Sequence, residues 1–123
     1  MSKPLALTLG EPAGIGPDLT LAVWQRRHEL RLPPFYVIAD PSGLERRAQR
    51  LGLDVPIAVV SPQQTFARFA DVLPVVDLKR PADAEPGTPS ANSAAAAIAS
   101  INRAVEDVVS GAASAVVTNP IAK

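Results

Sequence analysis

Twice in its first half this sequence runs through the same three steps: a short apolar run, a turn built on proline or glycine, and a segment with helical spacing. Leu5, Leu7 and Leu9 alternate with Ala6 and Thr8, a strand pattern apolar on both faces, as a covered sheet requires. "GEPAGIGPDL" follows. Pro17 stands where a first helical residue would, its φ already helical and its missing N–H not needed there, and Asp18 sets negative charge beside the positive end of the helix dipole. The spacing predicts a helix from about Pro17 to Glu29 that turns Leu19, Ala22, Val23 and Leu30 to the core. The second pass reads the same way. Phe35 to Ala39 form a strand, Asp40 caps, Pro41 opens a helix with Leu44, Ala48 and Leu51 on one face, and Gly52 closes it in a left-handed turn.

Strand and helix in alternation restrict the fold severely, because parallel neighbours need crossover connections and the helices must lie on the sheet faces. The expected class is α/β, a three-layer sandwich around a mostly parallel sheet. Further along, Ile57 to Val60 read as a third strand, and "SPQQTFARFAD" fits either one or two helical turns or a loop. Val72 to Leu78 read as a strand in which Pro74 removes a ladder donor and favours an edge or a bulge. "KRPADAEPGTPSAN" is loop by composition. From about Ser90 to Ser110 a helix is expected with Ala94, Ala97, Ile98, Ile101, Val105 and Val108 as its buried stripe and Asn102, Arg103, Glu106 and Asp107 on the wet side; Gly111 stops it. Ala115 to Thr118 form a last short strand before a polar corner at Asn119-Pro120.

Composition narrows the function. A chain of 123 residues, 47% hydrophobic with few aromatics, suits one domain with an aliphatic core. Lysine plus arginine and aspartate plus glutamate number 12 each, so no excess charge draws the molecule to nucleic acid or an anionic membrane. The absence of cysteine excludes disulfides and thiolate metal sites and fits a reducing compartment. No segment approaches the about 20 apolar residues of a membrane span, and "MSKPLALTLGEP" is too short and too soon interrupted for a secretory signal. A cytoplasmic location is the expectation.

In open parallel sheets ligands gather beyond the carboxyl ends of the strands. Two polar corners follow strands directly, Gly10 to Pro17 and Thr118 to Lys123. The spacing of Gly10, Gly14 and Gly16 matches neither the dinucleotide fingerprint nor the Walker loop, and Glu11 disfavours a phosphate close by. From spacing alone the turn is either a rigid bend or a site. Thr118, Asn119 and Lys123 offer a hydroxyl, an amide and an ammonium, the donors an anionic substrate wants, or else two turn residues and a solvated lysine. His28 reads as a surface residue near a helix end, "ERRAQR" as a solvated helix face, and Trp24 as core edge. One histidine without cysteine makes no metal site.

Gly10-Glu11-Pro12-Ala13-Gly14-Ile15-Gly16-Pro17-Asp18 and Thr118-Asn119-Pro120-Ile121-Ala122-Lys123, with the "GTPSAN" loop and long helix before the second, resemble the amino-terminal part of the 4-hydroxythreonine-4-phosphate dehydrogenases. Gly14 to Asp18 is also similar to the Gly-Ile-Gly-Pro-acid turn of isocitrate and isopropylmalate dehydrogenases, whose fold that family shares. The resemblance implies that residues 1–123 form the amino-terminal lobe of a two-lobe NAD-dependent dehydrogenase, with that lobe incomplete and the second lobe absent. It implies oxidation of the secondary alcohol of 4-phosphohydroxy-L-threonine by NAD, then decarboxylation, with a divalent metal as Lewis acid. Gly14, Ile15, Gly16 and Pro17 would form part of the coenzyme wall, and Thr118, Asn119 and Lys123 would contact the phosphorylated substrate. No residue here is assigned a catalytic or metal role, because the family's Gly-His-Thr-Glu segment and three metal-binding histidines have no counterpart and His28 matches none of them. The expectations are a homodimer in the parent enzyme, an inactive piece in isolation, and an open sheet edge or apolar face that invites self-association. Related sugar-acid phosphate dehydrogenases and a free-standing α/β binding domain are the competing readings.

Overall fold

The computed structural model describes residues 3–79 and 90–119, and in it ten short elements follow one another as strand and helix. They are β1 (Leu5–Thr8), α1 (Gly16–Gln25), β2 (Phe35–Ala39), α2 (Pro41–Leu51), β3 (Ile57–Val59), a 3-10 turn (Pro62–Gln64), α3 (Thr65–Arg68), β4 (Leu73–Asp77), α4 (Ala91–Ser110) and β5 (Val116–Val117). The strands form one sheet in the order β3-β4-β2-β1-β5, and every pairing is parallel. The expected α/β architecture is therefore present.

Period-two alternation along the strands divides the core into two layers. Phe35, Val37 and Ala39 of β2 pack with Val75 of β4, Leu21 and Trp24 of α1, Leu44 and Ala48 of α2, and Phe69 beyond α3. Tyr36 and Ile38 face the other way, with Ala6, Val76, Ala104 of α4 and Ala113. Thus α1, α2 and α3 cover one face and α4 covers the other, giving three layers. Gly52 and Gly111 take left-handed conformations immediately after α2 and α4, as their positions foretold. Ser90 caps α4 by accepting the Ser93 N–H at 3.1 Å.

Several details differ from expectation. β4 lies inside the sheet with Pro74 fully buried, so the proline marks neither an edge nor a bulge. The reason is its position in the ladder. Leu73 donates toward β3, to the Pro56 carbonyl, and Leu78 donates toward β2, to Ala39; by alternation the Pro74 nitrogen faces β2, just before that pairing begins at Val37 with Val75. The missing donor thus falls at the start of the β2–β4 ladder, which begins one residue later, and interrupts no pairing within it.

α1 ends at Gln25, not near Glu29, and Leu19, Ala22 and Leu30 are exposed while Thr20, Leu21 and Trp24 are buried. Trp24 is core: its Nε1 donates to the Phe69 carbonyl at 3.0 Å, and the Arg27 guanidinium lies 3.6 Å from its ring. In α2, Asp40 occupies the cap position without a capping bond, its carboxylate instead 3.9 Å from Arg46, and Leu51 is exposed. The undecided segment after β3 is a 3-10 turn and one helical turn.

The largest departure is the facing of α4. Ser93, Ala96, Ala97, Ser100, Ala104 and Asp107 are buried against the sheet, whereas Ile98 and Val105 of the expected stripe are 60% and 50% exposed and Val109 is 82% exposed. Ala94 is exposed too, and Asp107, expected in water, is buried. Tyr36 Oη donates to Asp107 at 2.5 Å and Arg103 Nε donates to its other oxygen at 2.9 Å, so the carboxylate is paired. The expected loop before α4 falls on residues 80–89, outside the described residues.

Candidate functional site

Between β1 and β5 the strand order reverses. β1 leads through α1 to β2 on one side, while β4 leads through α4, on the opposite face, to β5 on the other side. Such a reversal is where an open parallel sheet leaves a crevice at its carboxyl rim. The Gly10–Pro17 turn and, of the second corner, Thr118 and Asn119 lie there.

Asn119, just after β5, ties them together. Its Nδ2 donates to the Thr8 carbonyl at 2.9 Å and to Thr20 Oγ1 at 2.8 Å, and its backbone N–H reaches Thr8 Oγ1 at 3.3 Å. Thr20 in turn donates to the Gly16 carbonyl at 2.9 Å. Both amide hydrogens of Asn119 are thus directed at the protein, and the side chain staples β5 to β1 and α1. Thr118 beside it is exposed, and Lys123 lies outside the described residues.

The two glycines of the turn have different work. A Cβ on Gly16 would stand 2.4 Å from the Leu9 carbonyl oxygen and 3.2 Å from Asn119 Cβ, so this glycine lets α1 start hard against the end of β1. Its Cα face is covered by the protein. A Cβ on Gly14 would meet only Glu11, at 3.4 Å or more. Ile15 between them is 57% exposed and Pro17 is buried. The accessible part of the turn is therefore Gly14 and Ile15, with Gly16 and Pro17 shaping it from behind.

The residue missed by sequence reasoning is Arg47. Expected on a solvated face, it is only 7% exposed. Its Nη1 donates to the Gly14 carbonyl at 3.1 Å and to the Asp18 carboxylate, and its Nη2 donates to the Pro12 carbonyl at 2.6 Å. The signal was its spacing: Arg47 is three residues past Leu44 and adjoins Ala48, which places it on the buried stripe of α2. Glu11, also buried, accepts the Ala13 N–H at 3.1 Å. Among the described residues no three His, Cys, Asp or Glu side chains converge, so the donor set does not fit a metal and no metal step is assigned to it. Nor is any helix among them long and apolar enough to cross a membrane.

The family model described as "Pyridoxal phosphate biosynthetic protein PdxA" matches residues 31–123. The chain belongs to this family. Relatives named 4-hydroxythreonine-4-phosphate dehydrogenase share 55% identity in Bradyrhizobium diazoefficiens and 54% in Methylorubrum populi, over 99% and 98% of this chain. The PdxA-family chain spans 38% and 35% of their lengths. A crystal structure of a 4-hydroxythreonine-4-phosphate dehydrogenase from Burkholderia phymatum, 28% identical, superposes over all of this chain and 38% of its own with a TM-score of 0.85. A terephthalate 1,2-cis-dihydrodiol dehydrogenase from Burkholderia xenovorans shares the fold at 22% identity, with a TM-score of 0.75 over all of this chain and 35% of its own.

Proposed function

We propose that this chain supplies the amino-terminal α/β lobe, residues 1–123, of an NAD-dependent dehydrogenase that oxidises 4-hydroxythreonine 4-phosphate in pyridoxal phosphate synthesis. The observation that carries the reading is the meeting of the Gly10–Pro17 turn and Asn119 at the strand-order reversal. The names of the relatives supply the substrate.

In this reading Gly14 and Ile15 are the surface on which the coenzyme rests, and Gly16 and Pro17 hold that surface in place. NAD, when bound, accepts the hydride of the secondary alcohol. Thr118 and Lys123 contact the substrate, and Asn119 acts chiefly by fixing the corner, since its amide hydrogens serve Thr8 and Thr20. The divalent metal and its ligands belong to the part of the relatives' length that this chain does not span. A homodimer in the cytoplasm completes the proposal; the apolar outer face of α4 supports assembly, and the lack of cysteine suits a reducing compartment.

Calorimetric titration of the purified chain with NAD tests the coenzyme wall. Saturable heat is expected, and Gly14→Val should abolish it while leaving the urea midpoint nearly unchanged. No heat from the wild-type chain, or binding undisturbed by the valine, would remove the turn from the coenzyme site.

A further inference from the structure

We infer that Arg47 is the positioning residue of the Gly10–Pro17 turn, fixing its peptide planes so that the Ile15 N–H is presented on the side away from α2. The inference rests on the proposed coenzyme wall for its purpose, but its geometry stands on observed bonds. A trans peptide is planar, with its C=O and N–H pointing in opposite directions. The Pro12 carbonyl is held by Arg47 Nη2, and the N–H of the same peptide unit, that of Ala13, is held by the Glu11 carboxylate. One plane is gripped at both ends by buried charged groups.

The next grip leaves one end open. Arg47 Nη1 holds the Gly14 carbonyl, which directs the Ile15 N–H away from α2, on the side of the turn that carries the exposed Ile15 side chain. The Gly14 N–H is already spent on the Glu11 carbonyl at 2.9 Å. Asp18, in the first turn of α1, accepts from the same guanidinium, so turn and helix are set by one side chain that comes from a different βα unit. The planar fork spreads these bonds over two nitrogens, Nη1 to the Gly14 carbonyl and Asp18 and Nη2 to the Pro12 carbonyl, whereas an ammonium presents its donors from a single point and does not reproduce that span. A backbone donor facing outward at a strand-end rim suits an acceptor oxygen of the coenzyme.

The full chain carrying Arg47→Ala or Arg47→Lys tests this, with amide hydrogen exchange and NAD titration read side by side. In both variants exchange at Ala13 and Gly14 should rise about tenfold or more, the scale of one lost charge-assisted hydrogen bond, while Val37 and Val75 in the sheet keep their protection. The NAD dissociation constant should rise by a similar factor. Methylguanidinium, added to Arg47→Ala, should restore both readouts. Unchanged turn exchange, or an equal rise throughout the sheet, would overturn the inference, as would weaker NAD binding with the turn's exchange intact, which would make Arg47 a direct contact. A wild-type chain that binds no NAD would count against the coenzyme reading alone, because the exchange contrast would still decide the grip.

Discussion

Gly14 and Gly16 are two residues apart in sequence, yet the structure predicts opposite responses to one added methyl group. Gly16→Ala drives a Cβ to 2.4 Å from a main-chain oxygen, so β1 and α1 must separate. The expected cost is about 1–3 kcal/mol, the usual range for overpacking, measured as a lowered urea midpoint. Gly14→Ala meets ordinary contact distances and no positive φ, so its stability should stay within about 0.5 kcal/mol of wild type or rise slightly. Equal effects at the two sites would contradict the packing at Leu9. The sequence marked both glycines as turn residues; it did not show that the Leu9 carbonyl confronts only one of them, because that contact depends on how closely the helix starts to the strand. A second residue-scale prediction concerns Tyr36, the single tyrosine, which is fully buried. Burial, and then its hydrogen bond to the Asp107 carboxylate, push its pKa well above the ordinary value of 10. Folding therefore favours the protonated phenol. Stability from this group is complete below the unfolded-state pKa and falls above pH about 10, by about 1.4 kcal/mol per pH unit, until the folded group also ionises. Tyr36→Phe should remove that part of the alkaline slope in urea titrations, and an unaltered slope would show that Tyr36 is not its source.

At the scale of the element, α4 shows how a correct periodicity can be assigned a rotated face: Ala97 is buried and Val108 packs on the core as expected, while Ala94, Ile98 and Val105 turn outward. Its aliphatic residues do recur at helical spacing, but the stripe turned to the sheet is the one with smaller side chains. Tyr36 and Ile38 already fill that layer, and the helix lies close enough that Ala104 packs with them and Ser100 is buried. Ser100 does more than fit. Its hydroxyl donates to the Ile38 carbonyl at 2.8 Å and accepts the Leu9 N–H at 3.0 Å, joining β2 to the residue just after β1. Ser100→Ala preserves the volume and strands two buried backbone groups, so a loss of about 1–3 kcal/mol is expected in urea unfolding. A loss below about 0.5 kcal/mol, the level of an ordinary surface change, would show the bridge to be dispensable. Element order and type were legible because Gly, Pro and alternating apolar residues act locally. The facing of α4, the interior place of Pro74 and the burial of Arg47 were not, since each depends on which neighbour the sheet order supplies. The candidate site divides along the same line: the Gly10–Pro17 turn and the residues straight after β5 could be placed on the carboxyl rim from sequence, while the Asn119 staple and the Arg47 grip needed the fold.

For the whole molecule, what decides behaviour in solution is the apolar surface that the described residues leave uncovered. Ile98, Val105 and Val109 stand out along one side of α4, and Val117 is exposed on the edge strand β5. On the opposite face an apolar cleft lies between Val23 of α1 and Val117, floored by Leu5, Leu7 and Phe35. Surfaces of this kind favour association, and an exposed parallel edge adds unpaired backbone groups to the attraction. The purified chain should therefore show a sedimentation coefficient that rises with concentration. Ile98→Glu with Val109→Glu places two charges at mostly exposed positions on the outer side of α4, so the double variant should keep its stability within about 1 kcal/mol of wild type. If α4 is the associating surface, that variant sediments as a monomer where the wild-type chain does not. If β5 and its cleft dominate, the double variant associates as before and Val117→Lys, on the edge strand, disperses it. A wild-type chain that stays monomeric at high concentration would mean that these exposed side chains drive no assembly, and the support they lend to a homodimer would fall away.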